Sequence, residues 1–397
     1  MEIKKQRIHA IDGIRGLSLL GILLANLLIF QYGGVGKDEI QLFSLSDIDY
    51  GFYYFTKIAI EGSFVPIFAF LFGYSAIKMK ESLQNKGLKA KKFFIRRYIM
   101  LIILGILHLS FLWEGDILLL YGIIGFFLLF FLNRKTKTIL IWASILLFFT
   151  AIVLSFLLIP DASNVAEEEK IISFVKTATD IYTNGTYEEM MNQRGKNPMD
   201  IPIYISILLM FLSPLFVGPL FLFGMYAAKI KMFTKPLLEK KKYLLGTLLI
   251  LVGLLMKASF YIGSVNAVTG ILAPIGAYVL AFGYISAFAL MYTRAKESII
   301  LKGFESVGRL SLTNYLLQSV VFTTIFYSYG LGYFGKLGAT IGFILGVSFY
   351  ILQMAGSYLY LKTAKIGPVE MLLRMWTNFS FDGKIKEQTV NNRDVSI

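Results

Sequence analysis

RRYIMLIILGILHLSFLWEGDILLLYGIIGFFLLFFLNRK, residues 96–135, is the stretch that decides the fold. Two apolar runs, 96–113 and 116–133, meet at a turn carrying Glu114 and Asp116, and basic residues close both ends: Arg96 and Arg97 before, Arg134 and Lys135 after. A helix rises ~1.5 Å per residue, so each run nearly crosses a hydrocarbon core of ~30 Å. In lipid only helices and closed barrels satisfy their own backbone, and these runs lack the alternation of a barrel strand. The pair reads as a membrane hairpin with its ends on one side and its turn on the other.

The same pattern recurs along the chain. Further spans are expected at 14–32, 61–79, 138–159, 202–228, 243–262, 268–292, 308–329 and 338–361, which makes an all-α polytopic membrane protein of about ten helices. Alternate loops carry 30 of the 39 Lys and Arg, so the positive-inside rule puts both termini in the cytoplasm. Lys4, Lys5 and Arg7 resemble the start of a signal peptide, but the run that follows is interrupted by Arg15 and Asn26 and ends without a small-residue cleavage site. It is read as a retained first helix of a multi-pass membrane protein. Residues 1–362 form one transmembrane domain and 363–397 a cytoplasmic tail. Two segments stay outside: 33–60, with an aromatic-rich interfacial helix, and the acidic stretch 160–201, a helix-turn-helix cap over the outer face.

Composition narrows the chemistry. The chain is 56% hydrophobic and 16% charged, with no cysteine and two histidines, His9 and His108, so thiolate catalysis and a multi-histidine metal centre are excluded. The net charge of +14 is spread over short loops instead of forming a stripe, which speaks for a lipid bilayer and against nucleic acid. No Gly-rich phosphate-binding loop of the Walker or dinucleotide type is present.

Polar side chains inside spans cost ~2.5 kcal/mol or more to insert, and so tend to face a polar interior. Here they are Arg15, Asn26, Glu61, His108, Lys257, Asn314, Gln318 and Gln353. By helix rise His108 lies ~18 Å beyond Arg96, Asn26 ~16 Å beyond Arg15 and Gln318 ~14 Å beyond Arg309, a shared layer just past mid-membrane. The simplest common explanation is an outward-opening pocket lined by His108 and Asn26, with Glu61, Glu114, Asp116, Asn314 and Gln318 around it. Plainer readings stand beside it. The amides can be interhelical glue, Lys257 can snorkel, Asp116 can cap the next helix, and Arg96 and Arg97 can be topology signals.

The opening stretch Arg7-Ile-His-Ala-Ile-Asp12-Gly-Ile-Arg15-Gly16 and onward to Asn26 resembles the start of the YeiB-like bacterial membrane proteins. Phe64-Val-Pro-Ile-Phe68, the run His108 to Asp116, Gly308-Arg309-Leu-Ser-Leu-Thr-Asn314-Tyr315-Leu-Leu-Gln318-Ser319 and Gly367-Pro368-Val-Glu370 extend the resemblance along nearly the whole chain. That family is similar, distantly, to the transmembrane acyltransferases. The resemblance implies a ten-helix fold in which an acyl-coenzyme A enters from the cytoplasm and an acceptor hydroxyl or amine is acylated near the other face. The donor would meet Arg15, Arg96, Arg97 and Arg309, and the acceptor Asn26, Glu114, Asn314 and Gln318. In the sugar O-acetyltransferases a catalytic histidine follows the residue matching Arg15, with ten residues between; here that position is Asn26, and an amide cannot serve as a base. His108 is left as the base, oriented by Asp116 or Glu114, with Glu61 as its substitute. A transporter of small molecules or lipid-linked compounds is the competing expectation, followed by a scaffold or sensor, and a homodimer is compatible with either.

Overall fold

The computed structural model describes residues 8–157, 165–199, 201–263, 265–295 and 298–385, and among them every regular element is helical. The first helix, α1 (His9–Tyr32), is buried along most of its length. A loop then leads through the short α2 (Asp47–Phe55), whose start is fixed by a Ser46–Asp49 capping box, and a π-helical turn, Thr56–Ile60, into α3 (Phe64–Gln84). The opening hairpin of the sequence is α4 (Ala90–Phe111) and α5 (Leu118–Leu128). Next come α6 (Thr136–Leu157), then the hydrophilic α7 (Val165–Asn184) and α8 (Tyr187–Gln193). The second half runs through α9 (Ile203–Lys229), α10 (Pro236–Thr247), α11 (Leu249–Tyr261) and α12 (Ala267–Arg294). It closes with α13 (Ile299–Arg309), α14 (Ser311–Phe326), α15 (Gly338–Thr363) and α16 (Pro368–Asn378).

Among the described residues, eight helical segments are long and apolar enough to cross a membrane. Two of the ten expected spans are shorter than the hydropathy suggested. The 116–133 run gives an α5 of 11 residues, and the 308–329 run starts a new helix after a break at Leu310, giving an α14 of 16 residues. At ~1.5 Å per residue these reach about 17 and 24 Å. Span 138–159 ends outside the described residues. Leu208 and Phe211 on α9, Phe148 on α6 and Leu251 and Leu255 on α11 are exposed, as side chains facing lipid tails are.

Helices meet where small residues let backbones touch. A Cβ on Gly308 would fall 1.8 Å from the Asp12 carbonyl oxygen, and one on Gly16 2.0 Å from the Phe304 carbonyl oxygen, so α1 and α13 interlock through these two positions. Above them the expected outer helix-turn-helix is α7–α8. It is pinned by hydrogen bonds from the Arg194 guanidinium to the Ser110 and Leu112 carbonyls (3.2 and 2.9 Å), from the Tyr187 hydroxyl to the Phe111 carbonyl (2.5 Å) and from the Ser328 amide to the Tyr182 carbonyl (2.9 Å). Three of these acceptors belong to the last turn of α4 or the residue after it, where helix carbonyls lack partners of their own.

Candidate functional site

His108 sits in that last turn of α4, with an exposure of 4%. Gly105, one turn below, brings α4 against the start of α5: a Cβ there would lie 2.3 Å from the Leu119 amide nitrogen. The intervening turn folds back and presents Asp116, whose Oδ1 lies 2.9 Å from His108 Nδ1 while its Oδ2 accepts the Leu119 amide at 2.7 Å. The second contact is an N-terminal cap for α5, so one carboxylate fixes both the helix and the imidazole. On the far side of the ring, Nε2 lies 2.9 Å from the Ser319 hydroxyl on α14. A carboxylate only accepts, so Nδ1 carries the ring proton and Nε2 turns its lone pair to Ser319. The two side chains of the His108–Asp116 pair are each 1% exposed. Tyr315, one turn before Ser319, places its ring 5.3 Å from the imidazole, and its hydroxyl donates to the Gly115 carbonyl and accepts the Ile117 amide, both at 3.3 Å.

Tyr315 and Ile117 also form the inner wall of a cavity of about 410 Å³. Its middle is apolar, with Phe68, Phe72, Leu101 and Tyr121, and its other end carries Lys86, Arg97 and Arg374. Such a volume suits a ligand of drug-like size. Leu373, Arg374 and Thr377 of α16 line that mouth, so a segment assigned to the tail on sequence walls the cavity. From the same helix the Glu370 carboxylate accepts the Leu312 and Thr313 amides (2.7 and 3.1 Å) and the Thr313 hydroxyl (2.5 Å), capping α14 and thereby setting the position of Tyr315 and Ser319.

Several sequence expectations are corrected. The cavity is lined by Tyr315, Lys86, Arg97 and Arg374, whereas His108, Asn26, Glu61, Glu114, Asn314 and Gln318, expected around one pocket, are not among its lining residues. Gln318 does not share a pocket with His108. Adjacent helix residues point about 100° apart, so Ser319 meets the imidazole while Gln318 donates to Gln353 (2.8 Å), which in turn donates to the Asn314 carbonyl (3.1 Å). Asn314 donates to Ser357 at 3.0 Å, completing a polar seam between α14 and α15. Asn26 is half-buried on α1 and joins no hydrogen bond among the described residues.

Glu61 is not beside His108 as a substitute base. Its carboxylate pairs with Lys37 (2.8 Å) and Lys57 (2.6 Å), Asp38 joins the same two lysines, and Lys257 donates to the Glu61 carbonyl (2.5 Å). Burial acts first to raise the Asp38 carboxyl, but Lys57 and Lys37 outweigh it and hold it below its ordinary value. Glu114 turns away from His108: it accepts the Tyr182 hydroxyl at 3.3 Å and lies 3.8 Å from Arg194. Burial raises its carboxyl above the ordinary value, opposed by Arg194 and the Tyr182 hydrogen bond.

Of the four arginines expected at a donor, Arg97 alone is among the cavity-lining residues. Arg96 stacks on Phe379, 4.0 Å from its centroid, while the Trp376 indole donates to the Arg96 carbonyl (2.9 Å). Arg309 donates to the Lys365 carbonyl at 3.3 Å, and Arg15 to Asp12 (3.1 Å) and Ser75 (2.9 Å). Sequence reasoning missed Lys86 and Arg374 as cavity residues and Ser319 as the partner of His108. The available signal for Ser319 was its i, i+4 spacing from Tyr315, which places both on one face of α14.

Residues 227–380 match a family model described as Protein of unknown function (DUF418), a region that holds Ser319 and α16 but not His108 or Asp116. The chain is 32% identical to "Uncharacterized protein YxaH" of Bacillus subtilis (strain 168), over 98% of both chains. It is also 26% identical to "Uncharacterized 39.9 kDa protein in amylase 3'region" of Bacillus acidopullulyticus, over 94% of each chain. To "Uncharacterized protein YeiB" of Escherichia coli (strain K12) it is 24% identical, over 94% of this chain and 96% of that one. An all-helical chain with membrane-length helices, aligned nearly end to end with these relatives, belongs to the YeiB-like family of bacterial membrane proteins.

Proposed function

We propose that the protein is a multi-pass acyltransferase of the bacterial plasma membrane, with about ten membrane-crossing helical segments and both termini in the cytoplasm. It takes an acyl group from a cytoplasmic acyl-coenzyme A and moves it to a hydroxyl or amine near the outer face. The observation that carries this reading is the pairing of a buried imidazole, held between Asp116 and Ser319, with a neighbouring cavity whose lining includes Tyr315, its ring 5.3 Å from that imidazole, and the three cations Lys86, Arg97 and Arg374. Lys86, Arg97 and Arg374 offer charge-assisted hydrogen bonds to phosphates, the apolar middle accepts the chain that carries the thioester, and His108 supplies a base at the inner end. Acyl transfer needs these three parts in this order.

The experiment is coenzyme A binding to full-length protein in nanodiscs. Arg97→Ala and Arg374→Ala should each weaken binding by roughly tenfold, the loss of about one charged hydrogen bond, while Arg96→Ala leaves it unchanged. Equal affinity in all three variants, or no binding by the wild type, removes the donor site.

A transporter reading draws on the ion cluster of Lys37, Asp38, Lys57, Glu61 and Lys257, of which Lys57 and Lys257 are buried, because intramembrane charges often mark a solute path. Solute counterflow that persists in His108→Ala would favour it.

A further inference from the structure

We propose that Ser319 is a covalent relay: the acyl group passes from the donor to the Ser319 hydroxyl and only then to the acceptor. This rests on the acyltransferase reading. His108 Nε2 has one hydroxyl in contact, that of Ser319 at 2.9 Å, and an acceptor alcohol could not reach the lone pair without displacing it. Ser319 has one other contact, the Tyr315 carbonyl at 3.5 Å, at the limit of bonding range. Its proton is therefore committed to the imidazole. Asp116 holds the opposite nitrogen at 2.9 Å, so serine, imidazole and carboxylate form an unbroken chain, the arrangement in which a neutral hydroxyl becomes a nucleophile.

Position supports the same assignment. Tyr315 lines the donor cavity and Ser319 lies one turn further along α14, away from the basic mouth and toward the side covered by α7–α8. A hydroxyl at that point can receive from one side and deliver to the other. The carbonyl oxygen of the bound acyl group also needs a donor as charge develops on it. The Trp113 indole N–H is fully buried and without a hydrogen-bond partner among the described residues, on a ring whose centroid is 6.3 Å from the imidazole. It supplies that donor.

Ser319 Oγ attacks the thioester carbonyl as His108 Nε2 takes the hydroxyl proton; the C–O bond forms, the C–S bond breaks, and coenzyme A leaves as the thiol with that proton. The acceptor hydroxyl or amine then attacks the seryl ester, gives its proton to Nε2, and Ser319 recovers a proton as its bond to the acyl carbon breaks.

The test uses full-length protein in nanodiscs with acetyl-coenzyme A as the probe and no acceptor added. Acid-quenched wild type should carry one acetyl group, mapped by peptide mass spectrometry to Ser319, and coenzyme A should appear in a burst of about one equivalent. Ser319→Ala should lose the adduct and at least about 10³-fold in turnover, with coenzyme A affinity unchanged. If coenzyme A is released and the alanine variant turns over within a few-fold of wild type, or if the adduct maps elsewhere, the serine is only an interhelical clamp and the relay is wrong while the acyltransferase reading survives. If the wild type neither binds nor consumes the donor, both fall. The wild-type adduct map needs no variant, so a poorly folding Ser319→Ala does not blunt the test.

Discussion

Asp116 has two tasks at once, since one carboxylate oxygen holds His108 and the other caps α5. Replacing it by asparagine separates them. An amide oxygen can still accept the Leu119 amide, but its NH2 group can turn toward Nδ1 and favour the tautomer with the proton on Nε2, where no base remains. Asp116→Asn should therefore lower turnover by roughly 10⁴-fold with little change in thermal unfolding of the purified protein. Turnover near wild type would mean that the carboxylate serves only as a cap. The His108–Asp116 pair was within reach of sequence reasoning because eight residues and one tight turn separate them. Ser319 was not, because 211 residues separate it from His108 and nothing local says which face of α14 turns toward α4. The amides show the same limit: Gln318 has the depth of a site residue, yet helix rotation turns it, like Asn314, toward α15.

Among the elements, one tight constraint is the crossing of α1 with α13, which precedes α14 and sets its entry into the bundle. A methyl group at Gly308 would overlap the Asp12 carbonyl, and backbone cannot yield as a side chain can. Gly308→Ala should destabilise the protein by about 1–3 kcal/mol, read as a lower unfolding midpoint in detergent, and should also weaken turnover by shifting α14. A midpoint equal to wild type would show that the two helices are not locked there. Hydropathy revealed the long helices well, because a lipid-facing surface forces an apolar run. It misjudged 116–133 and 308–329, since an apolar run says nothing of where a turn such as Leu310 interrupts it. It also left 363–397 as tail, although α16 is short and its contribution is a capping carboxylate and one cation rather than an apolar stretch.

At the scale of the whole molecule the parts form a path. Lys86, Arg97 and Arg374 line the cavity with α16, Tyr315 lines it with its ring 5.3 Å from the His108 imidazole, and the α7–α8 segment binds the end of α4 that carries His108. On the proposed function a direction follows too: the donor's phosphates would be met by Lys86, Arg97 and Arg374, on the face that the Lys and Arg distribution leads one to expect in the cytoplasm. The central claim is best tested by acetyl-coenzyme A consumption in sealed membrane vesicles of known orientation containing wild type or His108→Ala protein. The proposed function predicts consumption when the donor is supplied to the cytoplasmic face, none when it is supplied to the outer face, and loss of at least about 10³-fold in the His108→Ala vesicles at equal protein content. Full consumption by His108→Ala, or consumption only from the outer face, would contradict it.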